Sequence, residues 1–192
     1  MAGKIAPKWP MGSAPCISAA IPERMDALTI RRDDYGPPSR AIQFEDMAVP
    51  RLHPEDANRV LVAVLATGPN FNTNFASLGL PVPVFGRGDA ATVHVPGSDA
   101  LGIVVDAGSG VKSVNVGQAV ILDSWTGRNI IRGYETHDGF NAQFAVVDEE
   151  RAIPVADELK SHSPERLAAM LLTYGTAYRA VVERLAVAPG DS

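Results

Sequence analysis

The apolar residues of this chain fall into short runs that are separated by turn residues. Runs of this length, rich in Val, Ile and Leu and bounded by Gly, Pro, Asn or Asp, are typical of β-strands. Residues 60–67 have the sequence VLVAVLAT, which predicts a strand buried on both faces. The same reasoning predicts further strands over residues 27–31, 41–49, 102–107, 119–123 and 143–147.

Helical spacing replaces this pattern near residue 163. Ser163, Pro164 and Glu165 predict a helix N-terminus, because Ser favours the N-cap, Pro the first helical position and an acid the first turn. Apolar residues at helical spacing follow, at Leu167, Met170, Leu171 and Tyr174. We expect Gly175 to interrupt or end this helix and residues 176–185 to form another. Strands first and helices last predict a mainly β fold with C-terminal helices, in the α+β class.

Composition narrows the classes of protein. The chain has 192 residues, 46% of them hydrophobic and 20% charged, as in an ordinary globular protein. A net charge of −5 without a basic stripe argues against a nucleic-acid partner, and no apolar run approaches the roughly 18 residues of a membrane span. Cys16 is the single cysteine and forms no internal disulfide, which fits a reducing cytoplasm. Prolines at 7, 10, 15 and 22 predict an extended arm or linker over residues 1–25, ahead of a domain over 26–160 and helices over 161–192.

The most informative motif is a polar turn, Gly97-Ser98-Asp99, that enters the apolar run after it. This outline resembles the catalytic domain of the medium-chain dehydrogenase/reductase superfamily, whose zinc alcohol dehydrogenases have Gly-His-Glu at the turn and bind the metal there. The turn here offers no imidazole or thiolate, whereas zinc takes three or four such donors. The chain's four His and one Cys show no ligand spacing, so we expect no metal site and a metal-free reductase.

Four segments taken together resemble one family, the crotonyl-CoA carboxylase/reductases and related enoyl-CoA reductases. They are PNFNTNFASLG at 69–79, HVPGSDALGIV at 94–104, RGYETHDGFNAQFAVV at 132–147 and LLTYGTAYRAVV at 171–182. The resemblance implies a GroES-like catalytic domain followed by a Rossmann domain that binds NADPH. No G-x-G-x-x-G occurs in the chain, so we expect the Rossmann domain to be absent from it and NADPH to be bound mainly by a downstream domain or a partner chain.

Two expectations follow from that absence. The chain alone should be inactive, and its uncovered apolar cleft should favour an oligomer or a partner chain.

Carboxylating members of the family carry a long insertion before GYET, where this chain has only residues 124–129. The short form is similar to the reductase module of propionyl-CoA synthase, which reduces acryloyl-CoA. We therefore expect reduction of acryloyl-CoA or crotonyl-CoA to the acyl-CoA, with reductive carboxylation at most minor.

The resemblance also implies site residues. Enoyl thioester reduction needs hydride delivery, hydrogen-bond donors near the enolate oxygen and exclusion of water. The segment 70–74 is interpreted as a polar loop in which Asn72 faces the reaction centre, with Asn70 and Thr73 as companions. The alternative is an Asn-rich turn whose side chains satisfy the backbone.

Further site residues lie in GYET and the last helices. Glu135 resembles the acid that holds an ordered water near the CO2 pocket of carboxylating members, and Tyr134 the aromatic residue lining that pocket. A surface acid and ordinary core packing are the alternatives. Thr173 and Thr176 correspond to the nicotinamide side of the cleft, with helix packing as the alternative. His137 stands where many relatives have a small or amide residue, and a lone loop histidine is usually structural.

Two other functions remain open. One is a quinone or alkenal reductase of the same superfamily, against which GYET and the Asn-rich segment weigh. The other is a non-catalytic GroES-like interaction module, which the early end of the chain favours and the polar segment opposes.

Overall fold

The computed structural model of the chain describes residues 7–10, 19–126, 130–188 and 190–191. The described residues form ten strands, whose bounds are β1 Arg24–Arg31, β2 Ile42–Ala48, β3 Arg59–Thr67, β4 Val93–His94, β5 Ala100–Ala107, β6 Ala119–Leu122, β7 Trp125–Thr126, β8 Ile130–Ile131, β9 Phe144–Asp148 and β10 Ala152–Pro154. All six strands predicted from the apolar runs are present, with ends that differ by at most three residues. Cys16, which is predicted to form no internal disulfide, lies outside the described residues.

The strands form two sheets and one short hairpin. The larger sheet has the antiparallel order β10-β6-β5-β3-β9, and the smaller has the order β2-β1-β4. Strand β3 is fully buried only over residues 60–63 and half-buried over 64–67, so the prediction of burial on both faces is right for its first half alone. Valines from β3, β5, β6 and β9 form the main core with Phe140 and Leu122.

The segment 137–143 joins the two sheets. The backbone N–H of Leu28 in β1 donates to Asn141 O at 2.8 Å, and that of Val95 donates to His137 O at 3.0 Å. The Asp26 N–H donates to the Gln143 side chain at 2.8 Å. The backbone N–H of Val64 in β3 donates to Gln143 O at 2.9 Å, so the segment that follows GYET in the sequence is fixed to both sheets.

The helices are short. Helix α1 spans Pro38–Ala41, α2 spans Phe71–Leu78 and α3 spans Pro164–Ala168. Ser163 occupies the predicted N-cap position of α3, although its side chain caps no backbone N–H. The expected break at Gly175 is wrong, because this residue has right-handed helical angles of −61° and −40° and the helical turns run on from Met170 to Arg184. We call residues 164–187 the exit segment.

None of the helices in the described ranges combines the length and the apolar character that crossing a lipid bilayer requires.

Candidate active site around the Gly97-Ser98-Asp99 turn

The segment after β3 is a helix, which corrects the prediction of a loop over residues 70–74. Asn70 is its N-cap: the backbone is extended and the side-chain Oδ1 accepts the N–H of Asn72 at 3.0 Å. Gly79 ends α2 in the left-handed conformation at φ 66°. Both capping signals are present in the sequence, but the Asn-rich interior has low helix propensity and favoured a turn.

Asp99 is the centre of the site. Its side chain is fully buried, and its Oδ2 accepts hydrogen bonds from Asn70 Nδ2 and Thr173 Oγ1, each at 2.9 Å. Its Oδ1 accepts the backbone N–H of Leu172 at 2.9 Å. Asn70 Nδ2 also donates to Ser98 Oγ at 3.0 Å. One carboxylate therefore joins the start of α2, the turn before β5 and the exit segment.

The environment of Asp99 has opposing electrostatic effects. Burial raises the pKa of the Asp99 carboxyl, while the hydrogen bonds from Leu172, Asn70 and Thr173 lower it in part. Both oxygens are occupied by protein donors, so the geometry is that of a carboxylate held in place. Gly68 permits this approach, since a Cβ there would lie 3.1 Å from the Asp99 Cβ and 3.1 Å from the Ala169 Cα.

The GYET turn, residues 133–136, packs directly on the Gly97-Ser98-Asp99 turn. Gly133 has φ 73°, and a Cβ at this position would overlap the carbonyl oxygen of Gly97. Glu135 is exposed, and its Oε2 accepts the backbone N–H of Ile131 at 2.7 Å. The Glu135 carboxylate thus stabilises its own turn and is accessible to solvent.

Tyr134 faces the cluster beneath α2. Its ring packs against the cluster that contains Ile30, Ala76 and Phe85, and its hydroxyl donates to Leu80 O at 3.2 Å. Partial burial, with a smaller effect of the Glu135 carboxylate, raises the pKa of the Tyr134 phenol. The tyrosine hydroxyl is therefore a neutral donor that ties GYET to the segment after α2.

The remaining predicted residues differ in their surroundings. Asn72 is half-buried, and no described contact engages its side-chain amide. Thr73 Oγ1 is buried without a hydrogen-bond partner among the described residues. Thr173 is committed to Asp99, whereas Thr176 is exposed on the exit segment. The structure thus brings Asn70 and Thr173 together on one carboxylate and GYET against the same turn.

A row of hydrogen-bonded side chains lies behind GYET, and the sequence did not predict it. His94 Nε2 lies 3.2 Å from Gly133 O, and its Nδ1 lies 3.1 Å from His137 Nδ1. His137 Nε2 lies 2.6 Å from Asp89 Oδ2. Burial, together with the charge of His137, lowers the pKa of His94 to about 4. The sequence marks His137 as an unusual residue at its position, but no sequence signal connects it to His94 or Asp89.

Metal-ligating side chains do not gather in the part of the chain that the structure describes: no group there combines three or more His, Cys, Asp or Glu residues around one point.

Comparison with known proteins assigns the family. Residues 56–157, more than half of the chain, match the model of the alcohol dehydrogenase GroES-like domain. The chain belongs to this family. The GroES-like chain is 35% identical over 175 residues to a crotonyl-CoA carboxylase/reductase of Cereibacter sphaeroides, which covers 83% of this chain and 39% of that protein.

Solved structures agree. Crotonyl-CoA carboxylase/reductase AntE in complex with NADP is 33% identical with a TM-score of 0.76, over 90% of this chain and 46% of that one. The 2-octenoyl-CoA carboxylase reductase CinF from Streptomyces, in complex with NADP and 2-octenoyl-CoA, is 27% identical with a TM-score of 0.73, over 86% of this chain and 44% of that one. The mainly β GroES-like fold and the resemblance to crotonyl-CoA carboxylase/reductases are confirmed. The chain spans less than half the length of these relatives.

Proposed function

We propose that this chain is the catalytic GroES-like part of an NADPH-dependent enoyl-CoA reductase that acts on short-chain 2-enoyl-CoA thioesters. The observation that carries the proposal is the Asp99 carboxylate, which fixes the first turn of α2 and the exit segment to one point. The amide of Asn72 is thereby held on a capped helix beside a polar turn. The relatives named for crotonyl-CoA and for 2-octenoyl-CoA support the substrate class.

Asn72 is the residue that we assign to the thioester. Its amide is half-buried and has no protein partner among the described contacts, so its N–H groups are free to donate to the thioester oxygen. A donor that is already in place stabilises negative charge on that oxygen as it develops, without reorganisation. Asn70 is a positioning residue in this assignment, because its own amide is used by Ser98 and Asp99.

NADPH supplies the hydride when it is bound, and the AntE and CinF structures contain NADP. We assign Thr173, Thr176 and Thr73 to the face that meets the nicotinamide side of the cleft. Thr73 Oγ1 is a buried hydroxyl that lacks a partner within the described ranges, and Thr176 is exposed. The chain has no G-x-G-x-x-G, so the rest of the cofactor is assigned to a Rossmann domain or partner chain beyond these residues.

Tyr134 and Glu135 are assigned to the acyl end of the pocket. The Tyr134 ring packs beneath α2, and Glu135 lies on the open edge of GYET. The short segment 124–129 favours simple reduction of acryloyl-CoA or crotonyl-CoA, with carboxylation minor. The Gly97-Ser98-Asp99 turn resembles the turn that supplies a metal ligand in zinc alcohol dehydrogenases. The side-chain oxygens of Ser98 and Asp99 accept hydrogen bonds from protein donors, which supports zinc-independent chemistry.

The decisive experiment follows NADPH absorbance in the chain joined to its nucleotide-binding part, with acryloyl-CoA and crotonyl-CoA as acceptors. We expect oxidation with both thioesters and a loss of about 10²–10³-fold in kcat for Asn72→Asp, which replaces the donor by a negative oxygen. Asn74→Asp, an exposed substitution on the same helix, is the matched control and should leave kcat within about twofold.

Three outcomes contradict the proposal. Turnover of quinones but not thioesters assigns the chain to the quinone reductases. No turnover with any acceptor favours an interaction module. Equal losses for Asn72→Asp and Asn74→Asp remove Asn72 from the site. Repeating the assay with bicarbonate and carbonic anhydrase should still give mainly the uncarboxylated acyl-CoA.

A further inference from the structure

We propose that Asp89, His137 and His94 form a protonation-dependent chain that positions the GYET turn through the carbonyl group of Gly133. This inference rests on the proposed function of GYET as part of the acyl pocket. His94 and His137 act as positioning residues, since neither is assigned to substrate or cofactor.

The geometry sets the direction of each hydrogen bond. Gly133 O only accepts, so His94 Nε2, at 3.2 Å, must donate to it. A neutral His94 with its proton on Nε2 has a lone pair on Nδ1, and His137 Nδ1, at 3.1 Å, must donate there. Asp89 Oδ2 lies 2.6 Å from His137 Nε2 and accepts its proton as a carboxylate. With His94 neutral and Asp89 ionised, all three hydrogen bonds form together only when His137 carries both ring protons.

Loss of one proton from His137 breaks the row of three hydrogen bonds in each tautomer. If His137 keeps its proton on Nδ1, the Asp89 carboxylate faces the Nε2 lone pair at 2.6 Å. If His137 keeps its proton on Nε2, two Nδ1 lone pairs face each other at 3.1 Å. If His94 moves its own proton to Nδ1 to relieve this, its Nε2 lone pair faces Gly133 O. The last two responses weaken the hold on Gly133, at which a Cβ would already overlap the carbonyl oxygen of Gly97.

His137 lies between a carboxylate and an aromatic ring. The Asp89 carboxylate pairs with it, and Phe85 stacks on its ring at a centroid distance of 5.1 Å with an interplanar angle of 18°. Arg32 lies 5.0 Å from the Phe85 ring and donates to the backbone oxygen of Asp89.

One further charged group, Asp138, acts on His94. The Asp138 carboxylate raises its pKa by attraction, and Asp138 is itself paired with the buried Arg132 at 2.9 Å. Burial, the largest effect, and the charge of His137 both oppose protonation of His94, whose pKa falls to about 4. His94 therefore stays neutral and can accept a hydrogen bond from His137.

The first test reads the chain without enzyme activity. Nitrogen-detected NMR of the 192-residue chain should show His94 protonated at Nε2 only, and His137 protonated at both nitrogens, on the acid side of one transition. Above that transition the amides of Tyr134 and Glu135 should exchange at least about tenfold faster, relative to the His162→Gln control, once the Gly133 anchor is lost. A His94 protonated at Nδ1 alongside a cationic His137 overturns the proposal, as does exchange that ignores the transition.

The second test uses kinetics in the chain joined to its nucleotide-binding part. We expect kcat/KM for crotonyl-CoA to fall about tenfold across the transition, because small displacements at an active site carry costs of this order or more. Asp89→Asn should move the fall to lower pH, and His137→Gln should give the lower value at every pH. His162→Gln, an exposed histidine on another part of the surface, should leave the profile unchanged.

The two failures are distinguishable. If the wild-type protein reduces no enoyl-CoA, the proposed function is wrong, and the NMR and exchange measurements still decide the positioning. If reduction occurs but His137→Gln keeps the wild-type pH profile, the positioning is wrong and the function stands.

Discussion

The Asp99 site and the exit segment are adjacent in the molecule but differ in how they are held. Asp99 is fully buried, and its two oxygens are satisfied by three donors from two parts of the chain. Beyond Thr173 the exit segment presents apolar side chains to solvent, with Tyr178 59% exposed and Leu185 71% exposed. The first region is completed by the protein's own groups, whereas the second leaves large apolar groups uncovered.

The difference shows which region the β fold itself determines. The donors of Asp99 lie at the N-cap of α2 and just after α3, two helices that pack on the sheets, so the position of the carboxylate depends on that packing. The outer face of the exit segment makes no comparable contact within the described residues, because α3 is the part that packs on the sheet, through Leu167 and Ala168. An uncovered apolar face of this kind is typical of a surface that meets another domain or chain.

Removing the Asp99 carboxylate should destabilise the Asp99 site. Asp99→Ala leaves the Asn70 amide, the Leu172 N–H and the Thr173 hydroxyl without their acceptor, and each such loss costs about 1–3 kcal/mol. Because part of this is recovered by water, we expect the free energy of unfolding to fall by about 4 kcal/mol. Urea denaturation measures it.

The control for this substitution is Asp106→Ala, at an exposed position on the same strand as the residues that follow Asp99. It should change the free energy of unfolding by about 0.5 kcal/mol or less. A similar loss from the two variants would mean that Asp99 does not join the segments.

Low pH should lower the free energy of unfolding, because His94 is buried and neutral in the folded protein. Its pKa is lowered from 6.5 to about 4 in the folded protein, so the unfolded chain takes up this proton first as the pH falls. Stability is therefore complete above pH 6.5 and is lost progressively as the pH falls towards about 4, by about 3 kcal/mol in total.

Urea denaturation at a series of pH values checks this expectation. His94→Gln should remove most of the loss between pH 6.5 and about 4, while His162→Gln should keep it. Unchanged pH dependence in His94→Gln would assign the acid sensitivity to other groups.

The smallest effect on stability should come from the exit segment. Tyr178→Lys and Leu185→Lys change exposed residues, so each should alter the free energy of unfolding by about 0.5 kcal/mol or less. Both should nevertheless weaken self-association of the 192-residue chain in light scattering, because a charge is placed on the apolar face. A chain that is monomeric before substitution contradicts the expectation of association.

The β framework was predictable because its strands are β-branched runs bounded by turn residues, as residues 60–67 illustrate. Helix α2 was missed although Asn70 and Gly79 mark both of its ends, since the interior asparagines favour turns in isolation. The helical turns pass through Gly175 although glycine has a weak helix propensity, which is why the sequence predicted a break there.

The candidate site was predictable only in part. Asn70 and Thr173 were identified by resemblance, but their shared partner Asp99 is distant from both in sequence. The row from Asp89 to His94 depends on two loops and strand β4 meeting in space, which residue spacing does not encode. The individual roles of Asn72, Thr73, Tyr134, Glu135 and Thr176 stay predictions.

The contact between Gly97 and Gly133 has a consequence for redesign of acyl-chain preference. A Cβ at Gly133 would overlap the carbonyl oxygen of Gly97, and a Cβ at Gly97 would lie 2.8 Å from the backbone nitrogen of Asn141. Neither position therefore accommodates a side chain. If the proposed function holds, Tyr134 is the neighbouring position at which a substitution changes the volume of the acyl pocket.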